Sequence, residues 1–320
     1  MTTLDSSLLE RLEALRSKYA ASGQELVDFL DGLLEADYLT YWDYIRLDSL
    51  LSLQQPRTPH HDEPIFIMYH QITELYFKLV LHELDAALDA PMPGTADWTP
   101  AHAEALAEHV RRCTRYFGAL EQSFAVMTDG MDRAQFLRFR MALIPASGFQ
   151  SGQYRMIEMA LARLNELVHL DVRADFASET DPLVLLDKIY WRGGATIAAT
   201  GEKTLTLKQF EEKYAKAFAE RAQRVHGRTL SDRARALEAR GELSDSLREA
   251  LRELDQQVNV RWPMQHLKTA GRYLAKQPTD ARATGGTNWP KYLPPKFQLR
   301  IAFPFLWTDA EREAWGTVAN

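Results

Sequence analysis

Hydrophobic and polar residues recur with helical spacing along most of the chain, most clearly between His61 and Leu88. On a helical wheel, one narrow arc carries four polar residues, Gln71, Glu74, Lys78 and His82. The opposite arc carries eight apolar residues, Ile65, Met68, Tyr69, Ile72, Leu75, Tyr76, Leu79 and Val80. An apolar arc this wide predicts a helix that is packed on most of its sides. His70 lies where the arcs meet, with Phe66 one turn before it and Phe77 two turns after it. Its imidazole is therefore expected in an aromatic environment, either as a core histidine with a hydrogen-bond partner or as a functional group.

The remaining chain repeats the helical pattern and offers no alternative fold class. No strand-like alternation of apolar and polar residues persists for more than a few positions, and no glycine-rich phosphate-binding signature is present. These patterns predict an all-α fold, with residues 1–320 forming a single large helical bundle of long antiparallel helices.

Composition restricts the possible partners and the cellular compartment. Of the 320 residues, 46% are hydrophobic and 26% are charged, as expected for a globular protein. The net charge is −6 and no long run of Lys or Arg occurs, which argues against nucleic acid or an anionic membrane as the main partner. We find no signal peptide and no apolar run long enough to span a membrane. Cys113 is the only cysteine, so a disulfide within the chain is impossible and the reducing cytoplasm is the expected location.

Without thiolate clusters, a metal would need His, Asp or Glu ligands, or would arrive within a cofactor. His60, His61, Asp62 and Glu63 lie together in a Pro-flanked loop, where they bind a metal or are solvated. His266 lies one turn after Trp262, and the intervening Pro263 either starts a new helix or kinks a longer one.

Two further segments have the composition of anion-binding or ligand-binding turns. Ser147 and Gln150 are spaced as a helix capping box, so free backbone N–H groups are expected close to Arg140. They either hold an anion or form a plain helix cap beside a surface arginine. No acidic residue occurs between Phe136 and Gly152, so a carboxylate ligand is the expected partner of Arg140. Gly285 and Gly286 follow Thr284, and they either turn backbone amides toward a ligand or form an ordinary tight turn.

Five segments in this order resemble the tryptophan 2,3-dioxygenase family of histidine-ligated haem enzymes. They are TYWDYIRLDSLLSLQQP, HHDEPIFIMYHQITELYFKLVLHEL, FRMALIPASGFQSGQYR, the W-x-x-x-H ending at His266, and TGGT beginning at Thr284. The resemblance runs from about residue 38 to 290, and its second and third segments are the most specific. It implies the all-helical tryptophan/indoleamine 2,3-dioxygenase fold. It also implies a reaction in which O₂ opens the C2–C3 bond of L-tryptophan to give N-formylkynurenine, the entry to the kynurenine pathway.

The resemblance also implies roles for individual residues. His266 corresponds to the proximal ligand of haem b iron and His70 to the distal, catalytic histidine. Phe66 corresponds to the aromatic residue against the indole, and Arg140 and Thr284 correspond to the residues that hold the amino-acid end of the substrate. Phe136 and Leu143 correspond to residues that line the substrate pocket, and Ser147 and Gly148 correspond to residues that line the pocket and border the haem. Tyr41, Tyr44 and Ile45 lie within the N-terminal helices (1–56), which are expected to contact a neighbouring subunit of a homotetramer. These three correspond to residues that reach the neighbour's pocket.

The chain departs from the family pattern at the amino-acid end of this pocket. Pro263 and Met264 replace helix-forming residues, the segment 276–283 is longer, and residues 288–290 read Asn-Trp-Pro. A same-fold haem monooxygenase or peroxygenase that acts on a substituted tryptophan or another aromatic compound is therefore the main alternative. A non-enzymatic helical binding protein is a second alternative. A non-haem metal bundle using His70, Glu74, Glu158 and His266 is a third, although the paired E-x-x-H motifs of such bundles are absent.

Overall fold

The structure, a computed structural model of the chain, describes residues 5–143, 150–193, 200, 202–274 and 294–317. Contacts divide the chain into two compact units, 1–55 and 56–320. Among the described residues, Val168 and Ile189 form an isolated β-bridge, and the regular structure is almost entirely helical. The predicted all-α fold is confirmed. Among these residues, no helix combines the length and the apolar character needed to cross a membrane.

The first unit contains four helices whose apolar side chains are largely exposed. They are α1 (Ser6–Ala20), α2 (Leu26–Leu34), α3 (Tyr41–Tyr44) and α4 (Leu47–Leu51). Arg46 has a left-handed backbone with φ 54°, which ends the α3 turn before α4 begins. Tyr38, Tyr41 and Tyr44 are each more than 70% exposed, which is unusual for large aromatic residues.

Among the described residues, the second unit contains thirteen α-helices between Glu63 and Leu274, and two short helical segments near the C-terminus. The α-helices are α5 (Glu63–Asp89), α6 (Pro100–Ser123), α7 (Ala125–Thr128), α8 (Arg133–Phe139), α9 (Gly152–Leu161), α10 (Leu164–Leu167), α11 (Leu170–Arg173), α12 (Pro182–Asp187), α13 (Tyr190–Gly193), α14 (Leu205–Val225), α15 (Leu230–Ala239), α16 (Asp245–Gln256) and α17 (Trp262–Leu274), and the two segments are Pro295–Gln298 and Asp309–Glu313. Tighter 3₁₀ turns occur at Arg140–Leu143, Ala174–Phe176 and Pro304–Leu306, and a π-helical turn at Gln257–Arg261 joins α16 to α17.

Helix α5 forms the centre of this unit and packs mainly against α6 and α9. Its buried face carries Tyr69, Phe77, Val80 and Leu84, all at most 4% exposed. The prediction that α5 is packed on most sides is wrong. A second apolar stripe is 43–49% exposed and consists of Met68, Ile72, Leu75 and Leu79. Helical periodicity identifies apolar stripes, but it does not show which of them meets a partner within the chain.

Helix α9 starts later than the sequence indicates. Its N-cap is Ser151, whose hydroxyl accepts the Tyr154 N–H at 3.2 Å, so the predicted cap at Ser147 is misplaced for this helix. Gly152 is required at the first position, because a Cβ there would lie 2.5 Å from the Tyr214 ring. The ring of Tyr214 therefore packs directly against the helix start.

Candidate active site

The start of α5 is anchored by two buried carboxylates from the HHDE loop. Glu63 is fully buried and accepts hydrogen bonds from the N–H groups of Arg57, at 2.7 Å, and Thr58, at 2.8 Å. Asp62 accepts the N–H of Asp132 at 2.6 Å, and its own N–H donates to Gln135 at 3.2 Å. These acids therefore attach α5 to the preceding loop and to α8. Among the described residues, no cluster of three or more His, Cys, Asp or Glu is arranged to hold a metal ion.

Helices α5, α8 and α17 bring a group of aromatic rings together. The Phe66 ring lies 4.1 Å from the His70 imidazole, centroid to centroid, and 6.0 Å from the Phe136 ring. Phe139 contacts both phenylalanines, and Phe136 packs at 4.8 Å on Tyr273 of α17. The structure thus joins three predicted site residues, Phe66, His70 and Phe136, in one aromatic cluster. A flat aromatic substrate fits such a lining.

His70 lies on α5, one turn after Phe66. Its side chain is exposed to solvent, yet protein atoms surround it densely enough that lost hydration lowers the pKa of the imidazole below its ordinary value. Nδ1 lies 2.7 Å from the carbonyl oxygen of Phe66, one turn earlier, so Nδ1 carries the proton that is donated to this oxygen. In the neutral imidazole, Nε2 then has a free lone pair and accepts a hydrogen bond from a ligand.

His266 is a neutral imidazole on α17. Burial lowers the pKa of His266 to about 4, and electrostatic interactions with His70 and Arg155 act in the same direction. One turn before His266, the Trp262 ring packs on Phe124 at 4.6 Å. A neutral imidazole on an aromatic-lined helix has the chemistry required of an iron ligand.

The carboxylate-binding candidate is buried beside the aromatic cluster. Arg140 follows Phe139 directly, begins the 3₁₀ turn after α8, and is only 8% exposed. Leu143 ends the same turn and packs against the core. The predicted site residues Ser147, Gly148 and Thr284 lie outside the described residues.

The three predicted residues of the first unit are exposed. Tyr41 and Tyr44 are 71% and 77% exposed, and Ile45 is 37% exposed. The Thr40 hydroxyl caps their short helix by accepting the N–H of Asp43 at 3.4 Å. The proposed contribution of these three residues to a neighbour's pocket stays a prediction.

Several residues of the site were not predicted as such from the sequence. Phe139 and Tyr273 complete the aromatic cluster, and their spacing gives a signal, because Tyr273 lies two turns after His266 on the same face of α17. A buried ion-pair network was also missed. The Glu158 carboxylate bonds the guanidinium groups of Arg155 and Arg300, so it is not available as the metal ligand of a non-haem bundle.

Comparison with known proteins shows which family the chain is similar to. The family model for tryptophan 2,3-dioxygenase matches residues 32–190. A tryptophan 2,3-dioxygenase from a Ruegeria species is 32% identical over 285 residues, which cover 85% of this chain and 92% of that protein. The enzyme of the same name from Paraburkholderia phytofirmans is 31% identical and covers 85% of this chain and 84% of its own length. The Bacillus anthracis relative is 41% identical over 123 residues, or 38% of this chain and 41% of its own length.

The helical fold, the histidine-bearing aromatic site and these similarities define an all-α oxidoreductase. The chain belongs to the tryptophan 2,3-dioxygenase family.

Proposed function

We propose that the protein uses O₂ to cleave the C2–C3 bond of L-tryptophan and releases N-formylkynurenine. The observation that carries this proposal is the contact of Phe66 with both His70 and Phe136, at 4.1 Å and 6.0 Å between ring centroids. An apolar aromatic lining suits an indole, and a free imidazole nitrogen suits its N–H group. The names of the relatives support the same substrate.

The residues present fit haem b. His266 is held neutral and follows Trp262 on α17, so its imidazole would bind the haem iron, and Ser147 and Gly148 would lie near the haem. Haem would supply the oxygen chemistry when bound. The protein's own contribution is to orient the substrate and to exclude water from it.

Each pocket residue has a distinct proposed task. Nε2 of His70 accepts the indole N–H, and its Nδ1–H bond to Phe66 holds the imidazole in the required tautomer. Phe66, Phe136 and Leu143 flank the indole. Arg140 pairs with the substrate carboxylate, and Thr284 binds the same end of the amino acid. The C2–C3 bond of indole is electron-rich, so the reaction does not require His70 to remove a proton.

Product mass tests the reaction. The purified protein, supplied with L-tryptophan and heavy-isotope O₂, should release N-formylkynurenine carrying both labelled oxygen atoms. The monooxygenase alternative transfers one labelled atom and leaves the ring closed. Pro263 and the altered segments 276–283 and 288–290 favour the monooxygenase alternative. In the family pattern these positions border the end of the pocket that holds the amino-acid group of the substrate. A hydroxylated product with one labelled atom would contradict the dioxygenase proposal.

The visible spectrum tests the cofactor separately. A Soret band that shifts when CO is added to the reduced protein is expected. A colourless protein that cannot be loaded with haem would favour the helical binding protein instead.

The active protein is expected to be a homotetramer in the cytoplasm. Tyr41, Tyr44 and Ile45 are exposed in the first unit, and a second apolar stripe is exposed on α5. Burial of apolar surface of this extent between copies of the chain would stabilise an assembly. Sedimentation at the assay concentration should show no active monomer.

A matched pair of variants tests the shared pocket. Tyr44→Ser should raise KM for L-tryptophan by about 10-fold or more if this side chain reaches a neighbour's pocket. Leu34→Ser removes a similarly exposed apolar group, at 84% exposure, and should leave KM near the parent value. A fully active monomer, or equal effects of the two substitutions, would contradict a pocket shared between subunits.

A further inference from the structure

The turn that leads into α17 is widened to a π-helix, and Pro263 gives the reason. The N–H of Trp262 donates to the carbonyl of Gln257, five residues earlier, rather than to that of Val258 as in an α-helix. Pro263 has no N–H, and in an α-helix its ring would press on the carbonyl of Asn259, four residues before it. The wider turn relieves this clash.

The same turn removes both regular helical donors, those of residues 262 and 263, from the carbonyl of Val258. In an α-helix the donor to Val258 would be the N–H of Trp262, but this N–H donates to the carbonyl of Gln257. In a π-helix the donor would be residue 263, but Pro263 has no N–H. Val258 is fully buried, so an unsatisfied carbonyl there would be costly. The hydroxyl of Tyr154, on α9, donates to this oxygen at 2.9 Å.

The Tyr154 hydroxyl also accepts a hydrogen bond, which holds it in position. Nη1 of Arg300 donates to Oη of Tyr154 at 3.0 Å, and Arg300 is itself paired with Glu158. All three side chains are buried. Burial raises the pKa of Tyr154, so the phenol keeps its proton and remains a donor to Val258.

A second buried group fixes the π-turn near its start. The carboxylate of Asp255 accepts the side-chain N–H of Asn259 at 2.8 Å. It also accepts the N–H groups of Ala302, at 3.0 Å, and Phe303, at 3.1 Å. The turn is therefore fastened to α9 through Tyr154 and to the C-terminal segment through Asp255.

We propose that Pro263 and Tyr154 together are positioning residues for His266. Pro263 imposes the wide turn, and Tyr154 supplies the donor that the wide turn lacks. The extra residue in a π-turn rotates everything after it by about 100° relative to a continuous α-helix. This rotation determines the face of α17 on which His266 projects. The consequence for iron rests on the function proposed above, whereas the pairing of Pro263 with Tyr154 does not.

A double-mutant cycle tests the pairing in the purified full-length protein, with amide hydrogen exchange of residues 257–274 as the readout. Tyr154→Phe should speed exchange in this segment by about 5- to 150-fold, because a buried carbonyl loses its donor. In a Pro263→Ala background the same substitution should change exchange by less than about 2-fold, because the residue at this position then has an N–H and the Val258 carbonyl gains a backbone donor.

Tyr190→Phe is the matched control. It also removes a buried phenol bonded to Glu158 and Arg155, but one without a hydrogen bond to the π-turn. Its effect should be the same in both backgrounds. The loss of the Arg300 contact with Tyr154 occurs in both backgrounds and cancels in the cycle. If Tyr154→Phe has the same effect in the parent protein and in the Pro263→Ala background, the pairing is overturned.

A vibrational measurement tests the positioning of His266. In the reduced, haem-loaded protein, the iron–histidine stretching band should shift or broaden in Tyr154→Phe and in Pro263→Ala, and should stay unchanged in Tyr190→Phe. An unchanged band in both variants would overturn the positioning role. Absence of haem from the parent protein would instead contradict the function proposed above, and the exchange cycle would still decide whether Pro263 and Tyr154 act together.

Discussion

Replacing His266 by Ala should remove haem from the protein, whereas replacing His70 by Ala should leave haem bound. His266 is held neutral on α17, and loss of a residue that only supports a metal ligand already weakens binding by about 10- to 100-fold. Loss of the ligand itself should therefore weaken haem binding by about 100-fold or more. Haem content per chain and the five-coordinate spectrum of the reduced protein provide the measurement.

Two controls separate loss of the ligand from loss of the fold. His82 is an exposed histidine on α5, and His82→Ala should keep the parent haem content. Free imidazole should restore haem binding to His266→Ala, because the small molecule occupies the space left by the side chain. If His70→Ala empties the site and His266→Ala does not, the assignment of the two histidines is reversed.

The helical class and the extent of α5 could be predicted from the sequence, but the surroundings of α5 could not. Periodicity over 61–88 indicates a long helix, and α5 spans Glu63–Asp89. The same periodicity treats Met68 and Tyr69 alike, although Met68 is 43% exposed and Tyr69 only 4%. Which apolar stripe is covered depends on where α6 and α9 lie, and these positions follow from contacts between distant segments.

Pro263 could be interpreted only in part from the sequence. Because Pro263 lacks an N–H, the sequence predicts that it starts a helix or kinks one. Pro263 is indeed the second residue of α17, directly after a π-helical turn that the sequence does not predict. The carbonyl of Val258 in that turn is bonded by Tyr154, which lies 104 residues earlier in the chain. A local rule identifies the unsatisfied group, but only the tertiary fold shows which side chain satisfies it.

In the candidate site, too, contacts within one helix could be predicted from the sequence, and contacts between distant segments could not. Phe66 and His70 lie one turn apart on α5, so their contact at 4.1 Å follows from helix geometry alone. The contact of Phe66 with Phe136 required the family resemblance, because the two residues belong to different helices. The pairing of Glu158 with Arg300 joins residues 142 positions apart, and no local pattern indicates it.

Arg140→Leu should raise KM for L-tryptophan by about 30- to several thousand-fold, with normal haem content. Arg140 is 8% exposed and follows Phe139, which lies in the aromatic cluster with Phe66 and Phe136. A guanidinium shielded from water forms strong, two-pronged hydrogen bonds with a carboxylate. Losing a pair of this kind costs on the order of 2–5 kcal/mol, which corresponds to the stated change in affinity. Steady-state kinetics with L-tryptophan provide the measurement.

Substrate analogues and a neighbouring arginine show whether the effect comes from the carboxylate. Tryptamine and indole lack that group, so their turnover or binding should change little in Arg140→Leu. Arg138 is exposed and lies two residues earlier, and Arg138→Leu removes the same charge without removing the buried guanidinium. Because charges exposed to water are screened, this control should leave KM within about 2-fold of the parent value. If both substitutions affect KM equally, long-range charge explains the result, and Arg140 does not bind the carboxylate directly.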